Sequence, residues 1–250
     1  MGHEIAMTCR SETPKAGIPP SCGACPTFDD NLCDAFTRAT ADSQPPCLQP
    51  EDHTAPARRT IWRAGETLER VPVICQGWAA TAMTLSDGRR QILSFLLPGD
   101  VVSSVSIFET THRCSVEAVT DVRYRSFPRA DIKEALSRRP DLFAIVARLW
   151  ADEAARADRL AIDLGRRGAT ERVASLILHL AQRLLKRGMM QGQTMDFPLR
   201  QHHIADAAGL TVVHVGNVLA EFRRTGLVEI NGRALTITDP AALRRVAETA

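Results

Sequence analysis

The stretch QHHIADAAGLTVVHVGNVL, residues 201–219, constrains this chain more than any other. Two short helices that cross at a fixed angle need three things. They need a small residue where the backbones approach, a residue that tolerates left-handed geometry in the turn, and an apolar wedge between them. Ala205 meets the first need and Gly209 the second, while Ile204, Ala208, Leu210, Val215 and Val218 supply the wedge. Thr211 stands where a helix N-cap belongs. Downstream, Leu227–Ile230 and Leu235–Ile237 flank Asn231-Gly232, the pattern of a tight hairpin. The sequence therefore predicts a winged helix-turn-helix. Such a unit lays its second helix in the major groove of a duplex. The candidate DNA contacts are Thr211 at its start, then Val213, His214, Gly216 and Asn217 along its outer side. Arg223, Arg224 and, in the wing, Arg233 are candidates for phosphate contacts.

Charge fits a polyanion partner without requiring one. The 250 residues carry a net charge of +2, and from Arg167 onward 11 Lys+Arg face 7 Asp+Glu. No run approaches the ~20 apolar residues of a membrane helix. The first residues, with Glu4, Arg10, Glu12 and Lys15, lack the apolar core of a secretory signal, so a cytoplasmic setting is expected. No serine–histidine–acid set, phosphate loop or paired carboxylates suggest catalysis, and the chain is not expected to be an enzyme.

The rest of the chain divides by period into an α+β architecture. Residues 1–53 are rich in Cys and Pro and show no period, so they read as an extension. Residues 54–130 read as short strands between turns: Ile61-Trp62, Val71–Ile74, Gly77–Leu85, Gln91–Leu97, Val101–Phe108, Cys114–Val119 and Val122–Phe127. Residues 131–166 switch to helical spacing. After Pro140 an apolar stripe runs through Leu142, Val146, Leu149, Trp150, Ala154, Ala157, Leu160, Ala161 and Leu164, with Asp152, Arg156, Arg159 and Asp163 opposite. A second copy of the chain would cover such a stripe as a coiled coil, which makes Leu149, Ala154, Ala157, Leu160 and Leu164 candidate dimer contacts. A core helix of the same chain is the alternative. In residues 167–250, a helix buried through Val173, Leu176, Ile177, Leu180 and Leu184, and stopped by Gly188, precedes the helix-turn-helix.

Five of the seven cysteines fall in the first 47 residues. Cys22, Cys25 and Cys33 form C-x2-C-x7-C, which brings three thiolates within reach of one metal or cluster. Zinc, iron–sulfur and dithiol chemistry all use such spacing. A fourth ligand would come from Cys47, Cys75 or Cys114, or from a residue other than cysteine. His202 and His203 are read as helix-surface residues, and His53, His112 and His179 as structural. Trp62, Trp78 and Trp150 are read as core residues.

The order of these zones resembles the Crp/Fnr family of bacterial transcription regulators. ILSFLLPGDV (residues 92–101) is similar to its strand-turn signature, ATERVA (residues 169–174) to its lead-in to the DNA-binding domain, and GLTVVHV (residues 209–215) to its recognition-helix start. The resemblance implies a double-stranded β-roll of the cyclic-nucleotide-binding type, a long dimerisation helix and a homodimer on a palindromic operator, with RNA polymerase as a further partner. The cysteine group resembles the oxygen-sensing Fnr branch, which implies a 4Fe–4S cluster on Cys22, Cys25, Cys33 and a later cysteine, here assigned to Cys114. Two departures stand out. Arg125 occupies the place of the branch's later cysteine. Ser104-Val105 and Arg113-Cys114 replace the Gly-Glu and Arg-Ser pairs of the nucleotide-binding branch, so cyclic AMP is not expected. A cluster-free thiol switch, a structural zinc, a small ligand in the β-roll, or a winged helix used for protein contacts remain as alternatives.

Overall fold

The computed structural model describes residues 50–248. Two antiparallel sheets form the first half. One has the order β1-β7-β3, from Glu51–Ala55, Val122–Pro128 and Arg70–Gln76. The other has the order β2-β6-β4-β5, from Thr60–Trp62, Ser115–Ala118, Ala79–Thr84 and Arg90–Leu96. Alternating side chains from both sheets meet inside, where Ile74, Leu96, Val102, Val116, Ala118 and Val122 form one cluster. This is the β-roll that the family resemblance implies.

Two details differ from expectation. The first strand begins at Glu51, so regular structure crosses the boundary placed at residue 53. The expected strand Val101–Phe108 contains a 3-10 turn, Ser104–Ile107. The Ser106 hydroxyl donates to Ser103 O, and Phe108 N and Glu109 N both donate to Val105 O. Serines offer the backbone these local partners, and they win over the ladder that an apolar run would otherwise join.

Helices α1 (Arg129–Arg138) and α2 (Asp141–Arg166) follow. At 26 residues, α2 is about 39 Å long. Its first turns are core: Leu142 and Val146 pack with Val71, Val73, Ile107, Phe127 and Ile132, and Leu149 lies against that cluster. The second half comprises α3 (Ala169–Lys186), β8 (Met190–Gln191), β9 (Thr194–Asp196), α4 (Gln201–Ala208), α5 (Val212–Arg224), β10 (Val228–Asn231), β11 (Ala234–Ile237) and α6 (Pro240–Glu248). The wing is a four-stranded sheet, β10-β11-β9-β8, twice the pair of strands legible in the sequence. Its tight turn holds Gly232 and Arg233 between Asn231 and Ala234, one residue later than Asn231-Gly232 suggested.

The two halves share a core. Trp78, Ile92, Phe95 and Leu97 of the β-roll belong to the same apolar cluster as Val173, Ile177, Leu180, Leu184 and Phe222. Polar groups fasten the seam. Arg183 Nη1 donates to Phe95 O at 2.7 Å and Nη2 to Asp100, while Arg187 Nη2 reaches Asp100 Oδ1 at 2.5 Å. Asp100 Oδ2 also accepts from Leu97 N at 2.7 Å. Gln91 Nε2 donates to Ala207 O at 3.1 Å, tying β5 to α4.

Candidate functional site

The helix-turn-helix assembles from the residues that announced it. Gly209 ends α4 with φ 63°. A Cβ there would sit 2.9 Å from Leu164 Cδ2, so both conformation and space call for glycine. Thr211 caps α5, its side chain accepting from His214 N at 3.2 Å. Ile204, Ala205, Ala208, Val215 and Val218 are buried. On the other side of α5, Val212, Val213, His214 and Asn217 are exposed, Val213 by 74%. Gly216 is not an outward reader: it faces α4, where a Cβ would meet the Gln201 side-chain amide at 3.4 Å.

The three candidate phosphate arginines differ. Arg224 is held by Glu221 at 2.6 and 2.9 Å, and Arg233 by Asp196 at 2.9 Å. Arg223 is exposed and pairs with no carboxylate among the described residues. It presents an uncompensated cation just beyond the reading face.

His203 is not a surface residue, as the sequence suggested; it is 4% exposed. Its Nδ1 accepts from Arg200 N at 3.1 Å and so caps α4. Burial, then His202, Arg90 and Arg200, push its pKa down to about 4. The unfolded chain therefore takes up a proton, from the ordinary value near 6.5 downward, that the folded chain refuses. The contribution to stability is complete above pH 6.5 and is lost as pH falls through 4. His179, pushed to about 3, acts in the same direction. Denaturation midpoints should fall between pH 6.5 and 4, and less steeply for His203→Gln, which keeps an acceptor but cannot titrate. An equal slope in the variant would contradict this role.

The long helix divides its apolar stripe. Leu142 and Val146 are internal, Leu149 is half-buried against them, and Leu160 and Leu164 line a cavity facing the β-roll. Ala154, Ala157 and Ala161 remain exposed, together with Phe143 (49%), Trp150 (38%) and Ile162 (53%). Trp150 is thus no core residue: at the surface it meets Phe108 tilted and Phe143 edge-on, at centroid distances of 5.3 and 6.2 Å. Asp163, expected on the solvated face, is buried against Ser175 and Arg167 because α3 folds back over that side.

Between the β-roll and α2 lies a largely apolar cavity of about 440 Å³. At the 3-10 turn, Ser104 N and Oγ both donate to Glu153 of α2, at 2.9 and 2.6 Å. Cys114 lines this cavity half-buried; burial raises its pKa, with Arg113 opposing. His112 is buried there with Nε2 unpartnered, and burial lowers its pKa.

Cys22, Cys25 and Cys33 lie outside the described residues. Among those described, no group of three or more His, Cys, Asp or Glu is placed to hold a metal. Arg125, at the place of the missing cysteine, is bound in a bidentate pair to Asp52 at 2.6 and 2.8 Å and helps hold β1 to β7. The remaining described thiol, Cys75, is half-buried at the end of β3, in the sheet that β1 joins.

Comparison with known proteins matches this architecture piece by piece. Residues 53–139 match the cyclic nucleotide-binding domain family and residues 171–246 the Crp-like helix-turn-helix domain family. The transcriptional activator protein FnrL of Cereibacter sphaeroides is 31% identical over 191 residues, covering 75% of this chain and 76% of that protein. This chain belongs to the Crp/Fnr family. It is a transcription regulator of the Crp/Fnr type. The nitrogen fixation regulation protein FixK of Bradyrhizobium diazoefficiens is 30% identical over 199 residues, covering 76% and 82% of the two chains. The solved structure of FixK2 from Bradyrhizobium japonicum superposes with a TM-score of 0.74 at 27% identity, covering 81% of this chain and all of that one. No helix among the described residues is long and apolar enough to cross a membrane.

Sequence reasoning missed Glu153, His203, and the Asp100–Arg183–Arg187 group. Glu153 and the Asp100 group act through partners distant in the chain, whereas His203 caps its own helix through Arg200 N, three residues back, which the sequence could have signalled.

Proposed function

We propose that this Crp/Fnr regulator works as a homodimer on a two-fold operator and answers to oxygen or redox state through a 4Fe–4S cluster held by its N-terminal cysteines. The observation that carries the DNA half is the exposed face of α5, with Val213, His214 and Asn217 free and Arg223 uncompensated beside them. Asn217 offers a bidentate partner for adenine. The apolar face of α2 runs from Phe143 one heptad on to Trp150 and then at steps of four, three and four through Ala154, Ala157 and Ala161, which suits a parallel copy of itself.

The sensing half rests on the donor set and on where the segment attaches. Three thiols in C-x2-C-x7-C suit a cluster, and relatives include proteins named FnrL and anaerobic regulatory protein. When bound, the cluster supplies a redox-active centre whose state depends on oxidant. The chain's own residues carry the consequence. The cysteine segment runs into β1, which is clamped to β7 by Asp52–Arg125 and by His53 on the Ser126 hydroxyl at 2.9 Å. From the β-roll, Glu153 ties the 3-10 turn to the middle of α2. A change in the segment that precedes β1 in the chain thus has a mechanical route to the dimer helix.

Cys114 is the assigned fourth ligand, although its raised pKa works against a preformed thiolate. Cys75 is the rival, because it lies in the sheet that β1 joins. Anaerobic purification should yield a brown protein with about four iron and four sulfide per chain. Cys22→Ser should abolish that content, and one of Cys114→Ser and Cys75→Ser should sharply reduce it. A colourless protein, or one containing only zinc, contradicts the cluster and leaves the thiol switch or structural zinc.

A further inference from the structure

A narrow cleft of about 60 Å³ lies where β5, α2 and α3 meet, between the β-roll and the DNA-binding half. Its walls carry Arg156 and Arg159 from α2, Arg172, His179 and Arg183 from α3, and one acid, Asp163. Most of these charges are spoken for. Asp163 is taken by Arg167 and Ser175, Arg183 by Asp100 and Phe95 O, and Arg172 by the backbone oxygens of Leu164, Arg167 and Ala208. Arg156 and Arg159 have no carboxylate partner among the described residues. Two polar atoms here are buried without any hydrogen-bond partner, Arg159 Nε and His179 Nδ1. Both are donors or can be, since the neutral imidazole carries one N–H on either nitrogen.

A buried donor left unsatisfied is costly, and two together beside unpaired guanidinium groups describe the outline of an absent acceptor. We propose that this cleft is a binding site for a small oxyanion group, a phosphate, held by Arg156, Arg159 and His179. A volume of about 60 Å³ suits one such group. Arg159 and His179 also border a wider groove of about 550 Å³ beside α6, so an organic phosphate would place its remainder there. The local field agrees with the assignment. After burial, the largest causes pushing His179 down to about 3 are Arg159, Arg183, Arg156 and Arg187, so an anion would relieve a concentration of positive charge. An occupant would contact both α2 and α3 and so favour the docked arrangement of the two halves. The cleft adjoins the β-roll cavity, with which it shares Leu93, Ser94, Arg156 and Leu160.

The test uses the full-length protein with inorganic phosphate, sulfate and chloride at matched ionic strength. Phosphate at about 100 times its Kd should raise Tm by roughly 5–10 °C over chloride. The double variant Arg156→Gln/Arg159→Gln should lose that rise, whereas Lys133→Gln, which removes an exposed cation on α1, should keep it. Phosphorus NMR line broadening of inorganic phosphate, present in wild type and absent in the double variant, reads binding directly even if the variant's basal Tm differs. A nucleoside monophosphate forms the second arm: tighter binding than inorganic phosphate identifies an organic phosphate as the natural occupant, and weaker binding identifies the free ion. No phosphate-specific shift or broadening in wild type, or an equal effect in the double variant, overturns the proposal. It is equally overturned if the double variant weakens the dimer with no phosphate dependence, because a partner copy then supplies the acceptor.

Discussion

Asp100→Asn is expected to destabilise the protein by about 3–5 kcal/mol, the cost of breaking a buried ion pair from one side. The substitution keeps the shape of the side chain and can keep the bond from Leu97 N. It removes the charge that compensates both Arg183 and Arg187. Arg183 is 8% exposed, and burial already pulls its pKa down to about 10, with Asp100 as the main opposing influence. Left without that carboxylate, the guanidinium must be hydrated, and the simplest route is to separate α3 from the turn at residues 97–100. Tm should fall by roughly 6–20 °C for a chain of this size. The loss should fall on the seam, so the two halves should unfold in separate steps. Arg187→Gln, at a less buried position, should cost clearly less. A single unchanged transition for Asp100→Asn would show that the shared apolar cluster alone holds the halves together.

Val213→Glu is expected to leave stability unchanged and to weaken specific DNA binding on the order of 100-fold or more, since a carboxylate facing phosphates costs several kcal/mol. Val213 is 74% exposed and lies in the first turn of α5, beyond the Thr211 cap. Gel-shift titration at fixed salt reads the affinity, and a thermal melt confirms folding. Affinity within a few-fold of wild type would mean that another surface meets the duplex.

Legibility in the sequence followed locality. The helix-turn-helix could be read because its requirements lie within twenty residues: Ala205 small, Gly209 left-handed, Thr211 with a free hydroxyl. The strands could be read because turn residues bound them. Contacts between distant parts of the chain left no such trace. Asp100 looked like a turn residue, yet its carboxylate serves arginines 83 and 87 residues away. The stripe on α2 was visible, but periodicity does not say what covers it. The fold gives Leu142 and Val146 to the chain's own core and leaves Phe143 and Trp150 outside. His203 was misread for the same reason, since its neighbours at Arg90 come from the other half.

The most direct measurement is nuclease footprinting of the purified dimeric fraction on genomic fragments, run without oxygen and again in air, beside Val213→Glu. The expected result is a protected site of two inverted half-sites whose centres lie about 34 Å apart, one helical turn, in at least one of the two conditions. Protection should vanish in the variant. A wild-type protein that protects no inverted pair in either condition, or a variant that protects the same pair, would contradict a regulator that grips DNA with two copies of α5.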